Sequence, residues 1–370
     1  MKPKLSVLVT PYAGLHYLEF LYRNFEDSGV RVNYASGPTP SQTLNILVSP
    51  VMLIWYRMRG FQVLHIHWLF QFSLPWARHR QWARQLMEWW FGLYLRTAEL
   101  AGYAIVWTAH DLLPHEQIFA DDVRARDLLL AKTSAIIALS DATALELRAL
   151  GARSIRVIPI GPYSDPYEVT LTRGQARSSF EFNDSDTVMV LVGRIEEYKG
   201  ADLLLMAVAQ LPETSNIKVL IAGVCPDHNY KKELARLAAL TGGRAVLKLE
   251  FVPDEDIARH FQAADFAVFP FREITNSASV LLAQSFGCPI IISNLPALGD
   301  VPDTSAIRVQ PDVGSLLRAL EDVEHLSEKE HRDMGASGFA WAHRLSWSDV
   351  TLETINSYEE ARRARGKTGK

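Results

Sequence analysis

The chain is short of cysteine, of long apolar runs and of charge of one sign. Only Cys225 and Cys288 occur in 370 residues. Two cysteines without a CxxC partner exclude a disulfide framework and fit a reducing cytosol. No stretch offers ~18 uninterrupted apolar residues, so no transmembrane helix is expected. The longest run, "LNILVSPVMLIWYRMRG", is broken by Pro50 and ends in Arg57 and Arg59. The apolar run in "MKPKLSVLVTPY" is too short for a signal peptide. A net charge of −4 weighs against a general nucleic-acid binder. There is no internal repeat and no long low-complexity tract.

What is present is an ordinary globular balance, 48% hydrophobic and 22% charged, over a length that suits two domains. The first half alternates short apolar strands with helices. "KLSVLVTPY", "VRVNYAS", "FQVLHIHWL", "AIVWTAHDL", "SAIIALS" and "IRVIPIG" read as strands, and "GLHYLEFLYRNFEDSG" as a helix stopped by Gly29. Residues 161–187 collect glycine, prolines, serines and charges, and read as a linker with a short helix around 173–180. Strands return as "VMVLVG", "KVLIAG", "AVLKLEFV", "FAVFPF" and "PIIIS", with helices between them and a closing helix in "WSDVTLETINSYEEARRAR". The expectation is an α/β chain of two doubly wound, Rossmann-like halves facing a cleft. Its divisions are 1–165, 166–345, and 346–370 for a last helix and a basic tail.

In such sheets ligands sit at the carboxyl ends of strands. "LVGRIEEYKGADLLL" therefore stands out. Gly193 ends a strand, Arg194 follows, and Lys199 and Gly200 open the next helix. A helix N-terminus with two cations suits a diphosphate. The other reading is a pair of solvated loop charges matched by Glu196 and Glu197. Further along, "LIAGV" places Gly223 after a strand. "FVPDEDIARHFQAAD" gives an acidic helix start. "FREITNSASVLLAQSFGCPII" puts Glu273, Asn276, Ser277 and Ser279 before a helix. Those small polar residues either donate to phosphate or cap the helix.

This ordered set resembles the nucleotide-sugar glycosyltransferases of the family 4 type, enzymes of the GT-B fold. The resemblance covers nearly the whole second half. It makes 1–165 the acceptor half and 166–345 the donor half, with the last helix expected to return to the first. It implies that Arg194 and Lys199 hold the donor diphosphate, that Gly223 and the backbone near Val252 meet the nucleotide, and that Glu273 orients the donor sugar. "GCP" fixes the register and places Leu282 where the family commonly has a second Glu, a ribose ligand. The segment looks closer to bacterial exopolysaccharide enzymes similar to the xanthan β-mannosyltransferase, which are inverting. No metal or other cofactor is expected, because the cations do that work.

The first half carries "WTAHDLLPHE", similar to a family segment whose histidine lies near the donor sugar. His110 is the candidate donor to developing charge, Asp111 the first candidate base and Glu116 the second. The alternative is that His110 and Asp111 cap a helix. His65 and His67 share one face of a strand and read as structural, since a metal needs more ligands. Gly14 allows close donor approach, and His16 faces the cleft. "LPWARHRQWARQLMEWWFGLYLR" sets Trp76, Trp82, Trp89 and Trp90 beside Arg78, Arg80, Arg84 and Arg96. That pattern suits an anionic membrane surface, or else a core helix with a basic face.

The resemblance thus implies transfer of a sugar from GDP-mannose or a UDP-sugar to a saccharide acceptor. The acceptor is polyprenyl-linked in exopolysaccharide or glycolipid synthesis, on the inner face of the cell membrane. A sugar-phosphate epimerase of the same fold, or a non-catalytic scaffold subunit, are the rival readings.

Overall fold

The computed structural model describes residues 4–10, 16–23, 25–35, 39–69, 72, 74, 80–114, 117–163, 167, 171–275 and 277–368. The chain divides into two compact units, Met1–Ile160 with Trp347–Lys370, and Gly161–Ser346.

The first unit runs β1 Leu5–Thr10, α1 His16–Tyr22, β2 Val30–Tyr34, α2 Gln42–Met58, β3 Val63–Ile66, α3 Gln81–Leu100, β4 Ala104–Ala109, α4 Asp122–Lys132, β5 Ala135–Ala138, α5 Asp141–Ala149 and β6 Ile155–Val157. The six strands pair in parallel in the order β2-β1-β3-β4-β5-β6. β1, β3, β4 and β5 are buried at every position, as continuous apolar strands covered on both faces must be. Strand order reverses between β1 and β3, which makes that junction the switch point of the sheet.

α2 is the part of this unit that the sequence disguised. Ser41 caps it, accepting from Leu44 N, and Pro50 sits inside it rather than ending it. A proline at position 50 cannot donate to the carbonyl of Ile46 four residues back. That carbonyl instead accepts from Trp90 Nε1 of α3 at 2.8 Å and from Ser49 Oγ at 2.8 Å. The lost helix bond has become a tie between neighbouring helices.

The second unit runs α6 Arg173–Ser178, β7 Thr187–Val192, α7 Ala201–Val208, β8 Ile217–Ala222, α8 His228–Ala239, β9 Ala245–Lys248, α9 Asp254–Ala263, β10 Phe266–Phe269, α10 Ala278–Ser285, β11 Ile290–Ser293, β12 Ala306–Val309, α11 Val313–Val323 and α12 Glu328–Ala342. Its parallel sheet has the order β12-β11-β10-β7-β8-β9, with the switch point between β7 and β10. β12 is a strand that the pattern "AIRV" was too short to announce. β9 stops at Lys248, so "LEFV" is not strand as expected. Glu250 N turns back to Lys248 O at 2.9 Å, and the ladder ends there. The expected helix over 14–29 is likewise shorter. After α1 the backbone folds through turns, with Phe25 N on Tyr22 O at 3.3 Å, before Gly29 at φ 73°.

The last helix, α13 Trp347–Thr368, belongs to the first unit. Tyr358 is fully buried against it, Thr351 Oγ1 donates to Leu21 O at 2.8 Å, and Arg156 of β6 pairs with Glu353 and Glu360. The basic tail is helical through Thr368, with Arg362 and Arg363 exposed. Arg365 donates to Glu99 O, and Arg362 to Gln62 at 3.3 Å.

Candidate functional site

The second unit gathers its polar turns at the β7/β10 switch point. The strand-to-helix turn after β7 is Gly193–Gly200, closed by a single 3-10 turn, Glu197–Lys199. Gly200 is left-handed at φ 71°. A Cβ there would lie 2.2 Å from the carbonyl of Pro270, just beyond β10. A Cβ on Gly223 would lie 1.7 Å from the carbonyl of Gly193. Both glycines are therefore required by the chain's own backbone.

One reading of the sequence made Lys199 a solvated loop charge. It is instead 9% exposed. Burial pushes its ammonium down to about 8, with Glu196 opposing the fall and Arg194 adding to it. A Cβ placed on Gly193 would stand 3.4 Å from Lys199 Nζ and 3.1 Å from Ser279 Oγ. The ammonium and the hydroxyl thus converge over the one residue without a side chain. Ser279 lies in the first turn of α10, an eight-residue helix whose cap is Ser277, accepting from Val280 N at 3.2 Å. Arg194 is exposed and its Nε donates to Glu196 at 2.6 Å, so the ion pairing suspected from sequence is real for this cation. Glu273 is exposed in the turn after β10, and Val252 is half-buried between β9 and α9. Asn276 lies outside the described residues.

A three-residue cluster under this turn had no signature in the sequence. Arg272 donates to both carboxylate oxygens of Asp202 at 2.9 and 2.7 Å, and Tyr230 donates to Asp202 at 2.8 Å. Burial alone would raise the Asp202 carboxyl. The hydrogen bonds from Arg272 and Tyr230 outweigh it and hold the group below its ordinary value. Arg272 also donates to Glu197 O at 2.5 Å, and its amide to Tyr198 O at 2.7 Å. It therefore pins the 3-10 turn that carries Lys199. Sequence separations of 28 and 70 residues kept this cluster out of any local motif.

In the first unit His65, His67 and His110 form one buried chain. His67 Nδ1 and His110 Nε2 are 3.1 Å apart, and His67 Nε2 is 2.9 Å from the Tyr22 hydroxyl. That hydroxyl is 2.7 Å from His65 Nδ1, which is also 2.6 Å from Tyr358 OH, and His65 Nε2 reaches Thr108 Oγ1 at 2.8 Å. Trp68 stacks on His110 with centroids 4.1 Å apart, and Tyr17 meets it edge-on at 4.9 Å. Burial drives His65 and His67 well below the usual histidine range, with neighbouring histidines adding to the fall, and takes His110 down to about 3. All three are neutral at pH 7. His110 can donate or accept a hydrogen bond there, but not as a cation. Asp111 is half-buried beside it. Among the described residues no group of three His, Cys, Asp or Glu side chains is arranged to hold a metal ion. Gly14, His115, Glu116, Trp76 and Arg78 lie outside the described residues. His16 pairs with Glu19 at 3.4 Å. Arg80 precedes α3 without a side-chain capping bond and is exposed, Trp82 is exposed, and Arg84 donates to Gln117 at 2.6 Å.

Two six-stranded parallel sheets with flanking helices, and a final helix assigned to the first, make this a GT-B fold. Sucrose-phosphate synthase from Thermosynechococcus elongatus superposes with a TM-score of 0.73 at 18% identity, covering 98% of this chain and 100% of that one. Anabaena HepE in complex with UDP and glucose does so at 0.74 and 16%, covering 96% and 99%. Residues 172–341 match the family of glycosyl transferases group 1, and the chain carries that domain. It is a glycosyltransferase. A curated relative, the GDP-mannose:glycolipid 4-beta-D-mannosyltransferase of Xanthomonas campestris pv. campestris, is 25% identical over 300 residues, which is 79% of this chain and 78% of the relative.

Proposed function

We propose that this glycosyltransferase moves a mannosyl residue from GDP-mannose to a saccharide carried on a glycolipid. The observation that carries the donor half is the dry ammonium of Lys199 beside the Ser279 hydroxyl at the switch point of the second unit. A charge kept in low dielectric interacts strongly with an arriving diphosphate and stabilises it as a leaving group. Lys199 and Arg194 hold the diphosphate, Arg194 by exchanging Glu196 for phosphate. Ser279 and Ser277 add donors at the start of α10. Gly223 and Val252 border the nucleotide, and Glu273 orients the sugar. His110, held neutral, donates to the sugar, and Asp111 takes the acceptor proton. The positive charge comes from side chains, so transfer proceeds without a metal. The name of the Xanthomonas relative supports the choice of GDP-mannose and of a glycolipid acceptor.

A thermal-shift panel of GDP-, UDP- and ADP-sugars tests the donor, since a ligand that binds only the native state raises its melting temperature. GDP-mannose is expected to give the largest shift, and Lys199→Ala to abolish it and to lower turnover at least ~100-fold. A larger shift with a UDP-sugar overturns the donor assignment. An undiminished shift in Lys199→Ala overturns the grip.

A further inference from the structure

α2 carries an exposed apolar stripe. Leu44, Leu47, Val51, Ile54 and Met58 are spaced by three, four, three and four residues and are each 43–76% exposed. That spacing places all five on one face of the helix through four turns. The opposite side is anchored in the core by Ile46, Leu53 and Tyr56. On neighbouring α3, Trp82, Leu86 and Trp89 repeat the pattern at spacings of four and three and are also exposed. The two helices are joined by the Trp90 Nε1 bond to Ile46 O.

The charge along the chain carrying these stripes is one-sided up to Glu88, which stands beside Trp89 and pairs with Arg124 at 3.4 Å. Between Asp27 and Glu88 the chain has six arginines and no Asp, Glu or Lys, in a protein whose net charge is −4. At the end of α2 the Arg59 guanidinium lies 3.6 Å from the centre of the Trp55 ring. An aromatic face topped by a cation matches the boundary between acyl chains and headgroups.

We infer that the α2–α3 face docks on an anionic lipid bilayer, with the stripe of α2 lying in the plane of the headgroups. The sequence reading looked for this contact in residues 74–96 alone. The stripe of α2 extends it to a second helix that had been read only as a failed membrane span. α2 has 17 residues and one buried side, so it rests on the membrane and does not cross it. No helix among the described residues is long and apolar enough to cross. The identity of the surface rests on the lipid-borne acceptor proposed above. Its place on the protein rests on the exposed stripes and the arginines.

Co-sedimentation with phosphatidylcholine vesicles containing about 30% phosphatidylglycerol tests it, beside vesicles of phosphatidylcholine alone. Wild-type protein is expected to pellet with the anionic vesicles at low salt and to be partly released at high salt, as screened charge requires. Val51→Glu with Ile54→Glu should lower the bound fraction about tenfold, because two carboxylates would have to enter the interface. The same variant should keep the wild-type melting temperature and the GDP-mannose shift, since both residues are exposed and belong to the other unit from the donor turn. Wild-type protein left in the supernatant, or a double variant that pellets as well as wild type, overturns the inference. So does a wild-type dimer without vesicles that the double variant converts to monomer, for the stripe then belongs to a second copy. The nucleotide shift is read without vesicles, so failure of the donor assignment and failure of docking appear in different measurements.

Discussion

At Lys199 one side chain sets a pH dependence in two opposite directions. The ligand-free site holds its ammonium at about 8 because burial disfavours the charge. A nucleoside diphosphate binds the charged form. Raising the pH from 7 to 9 should therefore weaken GDP binding about tenfold, and Lys199→Arg should flatten that profile because a guanidinium stays charged throughout. Stability moves the other way. Between about pH 8 and the ordinary lysine value of 10.5 the unfolded chain binds a proton that the folded chain has released, so this residue's contribution to stability rises with pH there. Calorimetric titration of both proteins at the two pH values checks the prediction. Equal slopes for lysine and arginine would show that the titrating group lies elsewhere. The position of Lys199 was legible in the sequence, because a strand, a glycine and two cations in order mark a strand-to-helix turn. Its burial was not. It depends on Ser279 and on Arg272, which holds the turn and Asp202, and both are supplied some 70 to 80 residues later.

At the scale of elements, strands were legible wherever β-branched and aliphatic residues ran on without interruption, because both faces of a parallel sheet demand that pattern. Helices were less so. α2 looked like an aborted membrane span because a helix with one face in the core and an apolar stripe outside is apolar nearly all round. Pro50 looked like a breaker, when its cost is met by α3. Trp90→Phe should leave the Ile46 carbonyl with only Ser49 Oγ and lower stability by roughly 1 kcal/mol. In a Pro50→Ala background the helix can form its own bond to that carbonyl, and the same tryptophan change should cost less. A double-mutant cycle by urea denaturation measures the coupling. Additive effects of the two substitutions would mean that the indole bond to Ile46 contributes nothing to the pairing of α2 with α3. The switch points were also beyond the sequence, since strand order in a sheet is set by packing between elements and not by any one of them.

At the scale of the whole molecule, the first unit is built from two distant stretches of chain. α13 brings Tyr358 to Tyr22 at 3.2 Å and to His65 at 2.6 Å, and packs Trp347 on Tyr17 and Phe20. A chain ended at Ser346 should expose those buried rings and lose the ordered first unit, while residues 161–346 stay folded. Limited proteolysis should then yield a resistant fragment from the second unit alone. Equal resistance of both units would show that α13 is dispensable to the first.

That discontinuity also bears on how the protein is made. Domains usually fold in the order in which they leave the ribosome. Here the first unit emerges first but lacks its last helix until residues 161–346 have been translated, a delay on the order of tens of seconds. The second unit, contiguous in the chain, can fold during that interval. The nascent first unit meanwhile waits with the seat of Tyr358 open and its histidines wet, a client for a holding chaperone. Assembly therefore runs backwards along the chain: the half that begins the polypeptide is the half that is finished last.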